Sequence, residues 1–154
     1  MIVLLLALLI GVVAGLRAFT APAAASWAAY FGWLPLSGTP LAFTSSVWAV
    51  GVLSALAMVE YVTDQLPMTP SRTVPMQFGA RITFGALSGA AIGAPGGWLI
   101  PGGIAEIVGA VIGTFGGHAA RRELAGAFRK DMPAAFIEDA VAIITAVLII
   151  LVLR

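Results

Sequence analysis

The sequence predicts an all-α, polytopic membrane helix bundle, one domain over residues 1–154 with about five spanning helices and one short helix that is interfacial or re-entrant. Three observations point there. The chain is 60% hydrophobic and 10% charged, with a mean hydropathy of +1.04, well outside the usage of soluble domains. Its apolar residues fall into five runs near the ~20 residues that a bilayer crossing needs. Those runs are separated by segments rich in proline, glycine or charge, the usual marks of connections.

The first span reads as Ile2–Thr20. No Lys or Arg precedes its apolar run, as the n-region of a signal peptide would require, so it is taken as a helix of the domain. Pro22 is expected to break it. Ala23–Trp33, ending in aromatic residues, is too short to cross and lies either at the interface or re-entrant. The remaining spans read as Ser45–Leu66, Met76–Ala94, Gly102–Ala120 and Pro133–Leu153. Turn formers mark connections at Pro35–Pro40, Pro67–Pro75 and Pro95–Pro101, and Arg121–Asp131 reads as a charged loop.

Orientation follows from where the basic residues fall. Arg72 lies in one connection and Arg121, Arg122, Arg129 and Lys130 in another, which places both on the cytoplasmic side. The uncharged connections Leu34–Phe43 and Pro95–Pro101 are then external, with the N-terminus inside, Arg154 outside and Arg17 near the outer end of its helix.

Glu60, Asp64, Glu138 and Asp139 fall within stretches that otherwise read as membrane-spanning. A charge at the bilayer centre costs at least ~2.5–3.5 kcal/mol on insertion scales, so such groups face a bundle interior or a wet cavity and find partners. In the predicted topology these four and Arg81 share one depth. Glu60 and Asp64, four apart, share a helix face, whereas the adjacent Glu138 and Asp139 diverge. For Asp64 and Asp139 the alternative is a place at the headgroup boundary. The candidate substrate- or ion-binding residues are thus Glu60, Asp64, Arg81, Glu138, Asp139, Arg17 and Arg72.

Glycine spacing is the second pattern. Gly85, Gly89 and Gly93 form one small-xxx-small run, Gly109, Gly113 and Gly117 another, and Gly11 with Gly15 a single copy. Such runs flatten a helix face for close approach, so glycine-zipper packing is expected, within the chain or against a second copy. Gly11-Val-Val-Ala-Gly15 also echoes Gly109-Ala-Val-Ile-Gly113, the trace of an inverted repeat if the first and fourth spans run oppositely.

Gly15-Leu16-Arg17-Ala18-Phe19-Thr20, Glu60-Tyr61-Val62-Thr63-Asp64-Gln65-Leu66-Pro67, the following Pro70-Ser71-Arg72, the glycine-rich hairpin and Glu138-Asp139 together resemble the bacterial integral-membrane family filed as domain of unknown function 4126. The resemblance covers nearly the whole chain. It implies a multi-pass protein of the bacterial inner membrane and gives weight to these residues, but no activity. The family pattern has Lys after the Asp, where this chain has Gln65.

Several classes are excluded or lose their usual groups. A net charge of +1 with no dense basic run argues against nucleic acid. Without cysteine, and with His118 as the lone histidine, thiolate and paired-histidine metal sites are absent, and no metal or cofactor is expected. His118 reads as a boundary residue. Phosphate-cradling loops and nucleophile elbows are missing, so no enzyme is expected. The reading is a small secondary transporter or permease, proton- or cation-coupled, for a small polar or anionic substrate. Its partners would be the lipid bilayer and further copies in a homo-oligomer, because five short helices scarcely enclose a pathway. The alternatives are a non-transporting scaffold or assembly factor with structural ion pairs, and a lipid-headgroup-binding protein using Arg72, Arg121 and Arg122.

Overall fold

The computed structural model describes residues 1–65 and 71–154. The stretch 66–70, which takes in the expected span end at Leu66 and the motif's Pro67 and Pro70, lies outside the described residues. Among the described residues there are six α-helices and no strand: α1 (Ile2–Leu16), α2 (Thr20–Tyr30), α3 (Val47–Thr63), α4 (Pro75–Gly93), α5 (Leu99–Phe128) and α6 (Asp131–Val152), with short 3-10 turns at Ala42–Ser45 and Ala94–Gly96. Two of them, α5 and α6, are long and apolar enough to cross a membrane; α1 and α3 are apolar but shorter. The expected five full-length spans are therefore two long helices and four others.

Each displaced boundary has a local cause. The first helix stops at Leu16, not at Thr20, and Arg17 is extended at φ −141° and ψ 113°. Pro22 breaks nothing. It sits in the first turn of α2, where its missing N–H has no helical carbonyl to serve. The expected loop Arg121–Asp131 is mostly helix, because Ala119–Phe128 contains no proline and is rich in good helix formers. The turn into α6 takes only Arg129, in the left-handed region at φ 55°, and Lys130. Pro101, expected in a connection, occupies the first turn of α5.

Helix directions follow from which residues meet. Gly11 lies against Glu106, Gly15 against Ala110 and Thr114, and Gly117 against Leu16, so α1 and α5 run parallel. Gly85 and Gly89 meet Glu106 while Gly93 meets Trp98, so α4 and α5 are antiparallel. The α2 helix is not laid on the surface. Thr20, Ala21, Pro22, Ala23, Ala25, Ser26, Ala28 and Ala29 are buried, and α2 turns back along α3, with Thr20 bonded to Tyr61 (2.6 Å) and Trp27 Nε1 donating to Ser54 (3.0 Å). Its far end reaches the end of α6, where the Arg154 guanidinium lies 5.9 Å from the Trp33 ring centroid.

This extra return pass corrects the predicted topology. Arg17, Asp64, Arg72 and Asp139 meet at one end of the bundle, while Met1 and Arg154 lie at the other. The N-terminus is thus at the opposite end from Arg72, and Arg17 is level with the acids instead of far from them. An inverted repeat is likewise overturned, since the echoing segments of α1 and α5 are parallel neighbours in direct contact.

The glycines account for the closeness of these neighbours. A Cβ added at Gly109 would sit 2.9 Å from the Val12 nitrogen and 3.0 Å from the Gly11 Cα, and one at Gly15 would sit 2.5 Å from the Thr114 nitrogen. The α4 run does not pair with the α5 run. Instead α1 takes Gly109 and Gly113, whereas α4 takes Gly102 and Glu106. All eight glycines of the three runs face other parts of the same chain, which leaves none of those faces open to a second copy.

Alanine is the commonest buried apolar residue, beside larger ones such as Leu6, Ile10, Leu36 and Ile92, and many large apolar side chains face outward. Ala7, Ala14, Ala21, Ala28, Ala110, Ala134, Ala135 and Ala142 are buried, while Trp48, Val52, Met58, Val62, Ile104, Phe115, Ile144 and Leu148 are exposed. In water an outward apolar surface of this kind would need covering.

Candidate functional site

Seven side chains from five segments converge at the end of the bundle where α1, α3 and α5 arrive and α4 and α6 depart. The break after Leu16 turns Arg17 inward, and its side chain is fully buried. Glu60 comes from the last turn of α3 and Asp64 from its C-cap, Arg72 from the connection, Arg81 from the second turn of α4, and Glu138 and Asp139 from about two turns into α6. All seven expected site residues are brought together.

They form a network of buried ion pairs. Arg17 donates from Nε to Asp139 (2.6 Å), contacts Asp64 and Asp139 through its two terminal nitrogens, and lies 3.9 Å from Glu138. The Tyr61 ring centroid is 5.7 Å from the same guanidinium. Arg72 grips Glu138 with both terminal nitrogens, one of them at 2.7 Å. This bidentate geometry is the one that arginine makes best with a carboxylate. It also means that Arg72 is buried and occupied, not free at a surface.

Glu60 is held differently. Its two oxygens accept the backbone N–H groups of Ala18 (2.7 Å) and Phe19 (2.9 Å), so a side chain from α3 caps the start of α2. These are donors that a helix N-terminus leaves without intrahelical partners, and a negative group there also complements the helix dipole. Arg81 lies 3.6 Å from Glu60 and donates to the Gly15 carbonyl (3.1 Å), at the C-terminal end of α1. Glu60 and Asp64 share a helix face but serve different partners.

The structure adds three residues that the sequence did not single out for this site. Arg121, on the extended part of α5, donates to Asp64 (2.7 Å) and Asp131 (2.6 Å) and lies 3.5 Å from Glu138. Its assignment to a loop concealed it. Tyr61 was legible only as part of a motif. The third is Glu106, which lies within the fourth apolar run and is completely buried, with neither carboxylate oxygen bonded among the described residues. Its signal was an isolated acid placed four residues after Gly102 and three before Gly109.

Charge balances inside this end of the bundle. Arg17, Arg72, Arg81 and Arg121 oppose Glu60, Asp64, Glu138 and Asp139, with Asp131 at the exposed rim. A cavity of about 150 Å³ opens beside the network, lined by Ala18, Phe19, Glu60, Asp64, Gln77 and Arg81 among others. It therefore reaches two of the acids and one of the arginines, whereas Glu138 and Asp139 do not line it. His118 is exposed on α5, and no group of three or more acidic, histidine or cysteine side chains suited to a metal ion occurs among the described residues.

Neither the curated proteins nor the solved structures contain a match to this chain. A family model does match, over residues 4–152, and it carries the description "Domain of unknown function (DUF4126)". That match takes in every residue of the network and all six helices but for the first two residues of α1, and the chain belongs to that family.

Proposed function

We propose that the protein is a small multi-pass membrane protein that acts as a secondary transporter or permease, coupled to protons or cations, with Glu60 and Arg81 at the ligand-accessible wall of its polar site. The membrane placement is supported by the many large aliphatic and aromatic side chains that face outward around an alanine- and glycine-rich interior. Helices in lipid associate through close approach of small residues, and the α1–α5 contact is then a glycine zipper within one chain. In this reading α2 is a short return pass from one end of the bundle to the other, and a homo-oligomer forms through surfaces other than the glycine faces. Cysteines placed at Ser37 and Ser71, at opposite ends of the bundle, are expected to react with an impermeant maleimide from opposite faces of vesicles; reaction of both from one face would defeat the membrane placement.

The observation that carries transport is the cavity reaching Glu60 and Arg81 from outside. A carboxylate with water on one side and a buried arginine on the other can exchange its proton or its partner as access changes, and the arginine offers a contact for a small anion. The experiment is uptake of labelled phosphate, sulfate and short carboxylates into proteoliposomes under an imposed pH gradient, with pyranine inside to follow protons. Glu60→Gln, which keeps one acceptor oxygen for the α2 cap, is expected to abolish gradient-dependent uptake. Uptake by Glu60→Gln equal to that of the parent would end this reading.

The second reading, a scaffold with structural ion pairs, is favoured by the other half of the network, where Glu138 and Asp139 are paired with Arg72 and Arg17 away from the cavity. The headgroup-binding alternative loses two of its three cations, because Arg72 and Arg121 are already engaged, and keeps the exposed Arg122.

A further inference from the structure

Glu106 sits outside the paired network and has no counter-charge. Its side chain lies in a slot cut into α4 by two glycines. A Cβ at Gly89 would collide with the Cβ and Cγ of Glu106, and one at Gly85 would collide with its carboxyl group. On α1, Gly11 lies against the Glu106 backbone. The side chain thus runs along α4 from Gly89 toward Gly85, which is toward Arg81, four residues before Gly85 on the same helix face.

Arg81 is also incompletely served. Its terminal nitrogens meet Glu60 and the Ala14 and Gly15 carbonyls, but its Nε is buried without a partner among the described residues. A carboxyl group with no donor thus lies against Gly85, one helical turn along α4 from the position that carries a guanidinium with a spare one. Isolated burial of an ionised carboxylate is prohibitive, and such a group holds a proton instead.

Other charged groups are accounted for. Against Glu106, α1 presents Gly11 and α4 presents Gly85 and Gly89; the acids of α6 lie at the network end, with Glu138 against Gly117, and Arg72 and Arg17 already hold Glu138 and Asp139. Facing Arg81 are Glu60 on α3 and, further off, Asp64, Arg17 and Arg72.

We propose that Glu106 is a proton-binding site inside the bundle and that Arg81 is shared between Glu106 and Glu60. In one state Glu106 carries the proton and Arg81 serves Glu60. In the other, the Glu106 proton has been given up to the water of the cavity, Arg81 meets the resulting carboxylate, and Glu60 takes up a proton from that water. The interior charge is the same in both states. Glycine at position 85 is then required to leave room for the carboxyl group, a different duty from the backbone approach on α1.

Infrared difference spectroscopy of the reconstituted protein across a pH titration tests this directly, because a protonated carboxylic acid has its own carbonyl stretching band. The parent is expected to show such a band, lost as pH rises; Glu106→Gln is expected to lose it and Glu138→Gln to keep it. Glu106→Met, apolar and of similar length, serves if the glutamine variant does not fold. Glu60→Gln frees Arg81 for Glu106, and an approaching positive charge favours the ionised acid, so the band should vanish at a pH lower by about one unit or more. A band that survives in Glu106→Gln, or no band in the parent, overturns the site, and an unmoved midpoint in Glu60→Gln overturns the sharing of Arg81. No transport substrate is involved. A band without uptake therefore removes only the transport reading, and uptake without a band removes only this one.

Discussion

Replacing Arg17 with methionine is expected to be the most damaging single change in the chain. Arg17 is fully buried and is the guanidinium that holds Asp139, which itself is only 7% exposed. Removing it leaves that carboxylate inside the bundle without compensation and takes one of two cations from Asp64. Breaking a buried pair on one side typically costs about 3–5 kcal/mol, a large share of the ~5–15 kcal/mol that holds an ordinary domain folded. Unfolding in detergent, followed by the loss of helical circular dichroism or by thermal aggregation, would measure it. The double variant Arg17→Met with Asp139→Leu removes both charges and is expected to recover part of the loss, because a buried pair replaced by apolar groups of similar volume is often neutral or better. A single variant that unfolds like the parent would show that the pair contributes nothing.

The second large effect is expected at the α1–α5 contact. Gly113→Ala places a methyl group on the backbone carbonyl of Val12, and Gly109→Ala places one on the backbone of Leu8 and Val12. Backbone in a packed helix cannot step aside as a side-chain tip can. The helices must separate, which opens the contact along its length, so each change is expected to cost ~1–3 kcal/mol or more from overpacking. Gly116→Ala is the matched control. It lies on the exposed side of the same helix with nothing near its added carbon, and alanine there should leave stability unchanged or raise it by about 0.5–1 kcal/mol. Equal melting of all three variants would remove the special role of the contact.

What could be read from the sequence divides along physical lines. Helical class and the identity of the polar cluster were legible because they depend on composition and on charges in apolar surroundings. Glu60, Asp64, Arg81, Glu138 and Asp139 stand out in any hydropathy scan, and burial forces them together whatever the exact helix order. The path of the chain was not legible. It turned on whether Thr20–Tyr30 is a surface helix or a pass through the interior, and that depends on the Glu60 carboxylate capping Ala18 and Phe19 across 41 or more residues of sequence. No local pattern encodes such a cap. One misplaced pass then reversed the direction assigned to α1 and moved Arg17 to the wrong end. Arg121 was missed for the opposite reason, since charge density read as a loop although Ala119–Phe128 contains nothing to stop a helix. Glu106 was overlooked because the glycines around it suggested packing alone.

The parallel pairing of α1 with α5 also bears on how the chain is made. Gly11 and Gly109 are neighbours in space but nearly a hundred residues apart along the chain, and synthesis proceeds at roughly 5–20 residues per second. The α1 helix must therefore wait for α5 before its groove exists. For several seconds it has neither its groove nor the carboxylates that Arg17 will meet, while α4 and α5, joined by a tight turn, can associate as soon as both exist. Non-local contacts of this kind slow assembly. Until α5 arrives, the amino-terminal helix and its arginine are the part of the nascent chain most in need of protection.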